Sequence, residues 1–151
     1  MKEKSKEFLA NFEENGPIPE ISIKKLEEEI NFILPRDYFD FMLGSNGGEG
    51  TIGETYLALW KIEDLFELNE AYGVQDFAPG LMIIGSDGGD TAYCIDKRYD
   101  NKPLISVPFI GMDLNEVEIC GNNFEEFLEY IITNGTNYKG EDFKNKADRY
   151  V

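Results

Sequence analysis

Leu81-Met-Ile-Ile-Gly-Ser-Asp-Gly-Gly-Asp-Thr-Ala-Tyr-Cys-Ile-Asp96 decides the fold class of this chain. An apolar run, Leu81 to Ile84, leads into a glycine-rich acidic tip and then a second run, Thr91 to Ile95. Short runs rich in Ile, Tyr and Thr on either side of a Gly/Asp/Ser cluster read as the two antiparallel strands of a hairpin. Leu81–Ile84 is apolar at every position, so this strand is expected at the centre of a sheet, covered on both faces. The tip holds Asp87 and Asp90 beside Gly85, Gly88 and Gly89, and admits two readings, a turn or a site.

Downstream, Arg98 to Lys102 is a polar turn, Leu104 to Phe109 a strand, Ile110 to Asn115 a second turn region and Glu116 to Cys120 an alternating strand. Asn122 or Asn123 then caps a helix from Phe124 to Thr133 that Asn134-Gly135 stops, and a polar tail follows with a short helix expected over Glu141 to Arg149. Upstream, Gly50 to Trp60 reads as a strand or strand pair, Trp60 to Tyr72 as a helix with Leu65, Phe66 and Leu68 inward, and Val74 to Gly80 as a loop. Three helices precede these: Lys2 to Asn15, Ile23 to Ile30 behind a Ser22 cap, and one opened by Leu34-Pro35 and closed by Asn46-Gly47-Gly48. Strands clustered mid-chain and joined by short turns predict an α+β domain with a mainly antiparallel sheet of about five or six strands flanked by helices. The 151 residues fit one domain, 1–151, with its core over about 18–135 and a polar tail over 136–151.

Composition narrows the chemistry. With 14 Lys+Arg against 30 Asp+Glu the formal net charge is −16, which disfavours direct binding to nucleic acid or to an anionic membrane and favours a basic protein partner. The plainer reading is that this charge only keeps the chain soluble. There is no histidine, so Ser-His-Asp and Cys-His catalysis and His-ligated metals are excluded. Cys94 and Cys120 fall inside expected strands and read as buried thiols of a reducing compartment. No apolar stretch is long enough to span a membrane and no signal peptide is visible, which predicts a cytoplasmic location.

Leu34-Pro-Arg-Asp-Tyr-Phe-Asp-Phe-Met followed by Asn46-Gly-Gly resembles the signature of the SMI1/KNR4 family of the SUKH superfamily. Trp60 before its helix, Ile84-Gly-Ser-Asp-Gly-Gly-Asp, Ser106-Val-Pro and Asn123-Phe-Glu-Glu-Phe-Leu fall in the family's order, over roughly Ile18 to Gly135. The resemblance implies the same α+β fold and a domain without a catalytic set or cofactor. Bacterial members are regarded as immunity proteins, antitoxins that bind and neutralise toxins, many of them nucleases; fungal relatives regulate cell-wall synthesis. The second use leaves open a regulatory or scaffold role with an endogenous partner.

Candidate sites follow from residue type. Asp87 and Asp90 offer two carboxylates to a hard metal, but lack the full oxygen set of a calcium loop, and a turn using Gly for positive φ and Asp for local hydrogen bonds explains them. Asn46-Gly-Gly reads as a helix C-cap, Trp60 as core, and Glu27–Glu29 as a solvated helix face. Glu49, Glu54, Asp87, Asp90, Asp113, Glu116 and Glu118 sit on or near expected turns, and would form an anionic rim for a basic toxin domain if those turns gather at one end of the sheet.

Overall fold

Each strand of the sheet pairs with its neighbour in sequence. The computed structural model describes residues 9–137, and within them seven strands form one antiparallel sheet in the order β1 to β7. These are β1 (Phe12–Glu14), β2 (Gly48–Ile52), β3 (Thr55–Leu59), β4 (Leu81–Ser86), β5 (Thr91–Asp96), β6 (Leu104–Pro108) and β7 (Glu118–Gly121). Five helices accompany them: α1 (Glu20–Ile30), α2 (Arg36–Ser45), α3 (Ile62–Ala71), α4 (Val74–Phe77) and α5 (Phe124–Asn137). The α+β class and the mainly antiparallel sheet are as expected, with a strand or two more than the sequence indicated.

In a sheet ordered this way, alternate connections fall at opposite ends. The links carrying α1 and α2, then α3 and α4, share one end with the β5–β6 link. The connections 53–54, 87–90 and 109–117 share the other.

Alternation along the strands divides the core in two. Met82, Ile84, Tyr93 and Ile95 face a layer built from α1, α2, α3 and α5, with Ile23, Met42, Leu65, Phe124 and Phe127 among its buried side chains. Leu81, Ile83, Ala92, Cys94, Ile105 and Val107 face the other way, beneath Val74, Ala78 and Met112. This is why Leu81–Ile84 is apolar throughout: both faces of β4 are covered. Neither Cys94 nor Cys120 is in a disulfide; both are buried, on opposite faces, and burial pushes the Cys94 thiol well above its usual range. Gly85 belongs to β4 rather than to the tip, because β3 passes so close that a Cβ there would lie 2.2 Å from the Ala58 carbonyl oxygen.

Several expectations are corrected. Phe12–Glu14, expected to be helical, is the edge strand β1 paired with β2, and Gly48 and Gly50 permit it, since a Cβ on either would meet β1-side backbone oxygens at 2.4 Å. Residues 2–8 of that expected helix, and the expected Glu141–Arg149 helix with the tail from 138 on, lie outside the described residues. Helix α1 begins at Glu20 with Pro19 as its N-cap, so Ser22 is inside it, donating its N–H to the Pro19 carbonyl. Glu27 is more than a solvated charge: its carboxylate accepts the Leu34 N–H at 2.8 Å and holds the α1–α2 link. Val74–Phe77 is one helical turn, not loop, because Val74 packs into the second core. Phe66 is exposed, on the outer side of α3. Asn134-Gly135 does not end α5, which continues to Asn137.

Tyr38 is fully buried against Phe124, and its hydroxyl has no hydrogen-bond partner. Burial alone pushes its phenol far above the ordinary value. A buried hydroxyl without a partner carries a desolvation penalty that a phenyl ring avoids. Tyr38→Phe is therefore expected to stabilise the fold by about 1 kcal/mol, read as a higher midpoint in urea at constant m; a lower midpoint would show that the hydroxyl is bonded after all.

Candidate functional site

The connections 53–54, 87–90 and 109–117 bring the acidic residues singled out above to one end of the sheet. Glu49 lies on β2, Glu54 in the β2–β3 turn, Asp87 and Asp90 in the β4–β5 turn, Asp113 and Glu116 in the β6–β7 connection, and Glu118 at the start of β7. A single cross-strand row ties them together: Glu49 pairs with Ala58, Ala58 with Ser86, Ser86 with Ala92 and Ala92 with Val107, next to the Ser106–Glu118 pair. Five strand spacings make this rim about 24 Å wide. That is too broad for one ion or small ligand and suits a macromolecular surface.

The carboxylates have different local roles. Asp87 pins its turn, with Oδ1 accepting the Gly89 N–H at 2.8 Å and the Thr91 N–H at 3.2 Å. Asp113 does the same for the 3₁₀ turn Leu114–Glu116 by accepting the Asn115 N–H at 2.8 Å. Asp90 turns its side chain to solvent, while its carbonyl accepts the Phe109 N–H at 2.9 Å and ties the tip to the next connection. Glu49 is exposed and accepts the Tyr56 hydroxyl. That bond first, then desolvation and the charges of Glu49 and Glu13, push the Tyr56 phenol above its ordinary value. Beside it, Gly88 lies against the Tyr56 ring. Thr91, Ser106, Pro108, Asn115, Glu116 and Glu118 line an open cleft of about 470 Å³ at the same end.

Glu13 is hidden in the sequence, because the helical spacing of its segment masks the strand it stands on. In register it stands directly opposite Glu49, and like charges facing across a strand pair are destabilising. The cations of the described residues are Lys24, Lys25, Arg36, Lys61, Lys97, Arg98 and Lys102, and none lies on a strand or on the connections 53–54, 87–90 and 109–117. Several are engaged elsewhere: Arg36 with Asp40 at 3.0 Å, Arg98 with Asp96 at 2.8 Å, and Lys97 and Lys102 over the Phe32 ring. Among the described residues no group of three or more His, Cys, Asp or Glu is placed to hold a metal ion, and no helix is long and apolar enough to cross a membrane.

Residues 17–130 match the SMI1 / KNR4 family (SUKH-1). This chain belongs to that family. It is also similar to an uncharacterized protein of Bacillus subtilis (strain 168), YnaB, with 30% identity over 132 residues, 85% of this chain and 87% of that protein.

In this SUKH-1 domain the Asn46-Gly-Gly signature is a joint between two helices. Asn46 ends α2 in the left-handed conformation, φ 49°, with its N–H donated to the Met42 carbonyl at 2.7 Å. Its Oδ1 accepts the Ile62 N–H at 2.9 Å, and its Nδ2 donates to Glu63 at 2.8 Å. One side chain thus supplies the N-terminal cap that α3 lacks from Lys61. Asp37 links α2 to α5 in the same manner, accepting the Glu125 N–H at 3.2 Å. Asn69 of α3 completes the ladder of β4 beyond the reach of β3, accepting the Ile83 N–H at 2.8 Å and donating to the Ile83 carbonyl at 2.9 Å. Asp37 suits the first turn of α2, where its charge complements the helix dipole, but nothing in the sequence points to α5, and Asn69 gives no signal there at all. Trp60, expected in the core, is half-buried and stacks on Tyr72 at 5.8 Å, which packs on Phe109 at 4.9 Å.

Proposed function

We propose that this chain is a non-enzymatic, cytoplasmic immunity protein, an antitoxin that binds and neutralises a cognate toxin, with a basic nuclease domain as the favoured target. The observation that carries the reading is the segregation of charge: among the described residues the end of the sheet bearing Glu49, Asp90 and Glu116 contains no cation. Carboxylates spread over about 24 Å imitate the phosphates that such a domain binds, and their field steers a cationic surface on approach. Family membership supports the binding role, and the −16 net charge supports a basic partner.

The test begins with a pull-down from the native host and mass spectrometry of what is bound. A cationic toxin domain supports the reading; a housekeeping protein replaces it with a regulatory role. Affinity for that partner is then measured with Asp90→Lys and Glu116→Lys combined, two exposed positions that pin no turn. Binding is expected to fall roughly tenfold or more, with a flatter dependence on salt. Unchanged affinity moves the interface off this end.

A further inference from the structure

Ile110 is 84% exposed, the most exposed of the large apolar side chains described. It stands on the β6–β7 connection, next to the acidic rim, and the chain on both sides of it is held. On one side the Phe109 N–H is bonded to the Asp90 carbonyl at 2.9 Å and the Phe109 ring packs on Tyr72. On the other, Met112 is 2% exposed in the second core with φ 40°, a left-handed conformation that non-glycine residues rarely adopt. Leu114 and Val117 pack against the same core, and Asp113 pins the turn between them. A loop with these anchors has little freedom left to lose when a partner binds. Strain that holds an apolar side chain in water is what an interface hot spot looks like before its partner arrives.

Resting on the toxin-binding reading above, we infer that Ile110 is the apolar anchor of that interface and enters a pocket on the partner ringed by Lys or Arg. The charge around it selects the occupant. Asp113 and Glu116 stand on the same loop and Asp90 is tied to its start, with no cation among the described residues of this end, so a second copy of this chain would meet like charge, and an uncharged groove would leave those carboxylates desolvated and unpaired.

The full chain carrying a photo-crosslinking amino acid at position 110 is expressed in the native host, with parallel variants at Tyr56 on the rim and at Ile33, exposed beside Lys102 at the far end. Expected are adducts from 110 and 56 with the same basic protein and none from 33. With that protein purified, Ile110→Ser is expected to weaken binding roughly tenfold or more while leaving the slope against salt unchanged, whereas Glu116→Lys changes the slope. An adduct from 56 but none from 110, or wild-type affinity for Ile110→Ser, removes the anchor and leaves the toxin-binding reading standing. Silence at both positions removes both. An adduct of twice the chain mass replaces the partner with a second copy and overturns the inference.

Discussion

Replacing Asn46 with alanine is expected to lower the unfolding free energy by about 3 kcal/mol. Two effects add. The Ile62 N–H loses its buried acceptor, which costs about 1–3 kcal/mol, and Glu63 loses its donor. Alanine must also hold φ 49°, where a left-handed conformation costs an L-residue about 1 kcal/mol or more. Asn46→Gly separates the two, because glycine adopts the left-handed conformation freely but offers no side-chain bonds; it is expected to recover about 1 kcal/mol of the loss. Urea unfolding of the three proteins decides it. If alanine and glycine are equal, backbone strain contributes nothing. If alanine lies within about 0.5 kcal/mol of the parent, the joint is not where the two helices are held.

The second large effect is expected at Arg98. Asp96 is 1% exposed, and its carboxylate accepts from the Arg98 backbone N–H, from Nε at 2.9 Å and from Nη2 at 2.8 Å. Removing one member of such a pair leaves a buried charge without its partner, and Arg98→Ala is expected to cost about 3 kcal/mol. The stem contributes as well, since it lies over Gly80, where a Cβ would meet Arg98 Cγ at 2.5 Å. Arg98→Lys is expected to recover only part of the loss, because an ammonium cannot form the two-pronged contact. The double variant Arg98→Ala with Asp96→Asn removes the orphaned charge and should be more stable than Arg98→Ala alone. If it is less stable, the cost lies in lost packing and not in the carboxylate.

Period-2 and period-3.6 patterns carried most of the fold. Leu81–Ile84 and Thr91–Ile95 were legible because burial on both faces of a strand leaves an unbroken apolar run, and α1, α2, α3 and α5 because each turns an apolar stripe inward. What escaped notice depended on partners distant in sequence. Phe8, Leu9 and Phe12 have helical spacing, yet Phe12–Glu14 is a strand because Gly48–Gly50 offers it an edge more than thirty residues away. Glu116 to Cys120 alternates as a strand should, but its apolar member Ile119 is 64% exposed while Cys120 takes the core side; at a sheet edge, alternation fixes the period without saying which face is wet. The acidic rim was legible as residue types near turns, and antiparallel topology brought those turns together. Glu13 was hidden by the misread strand, and Ile110 by the fact that a lone apolar residue between turn residues does not announce its own exposure.

The unequal lengths of the connections have a consequence for change. All the helical insertions leave the sheet at one end, and only turns leave it at the other. Segments 53–54 and 87–90, and the stretch of 109–117 outside its core anchors Met112, Leu114 and Val117, can be lengthened without threading a helix through the core, and doubling a loop costs only about 0.6 kcal/mol in closure entropy. The frame held by Asp37, Asn46 and Asn69 makes no use of those residues, so the exposed positions at one end of the molecule are free to drift in sequence while the other end keeps the sheet covered.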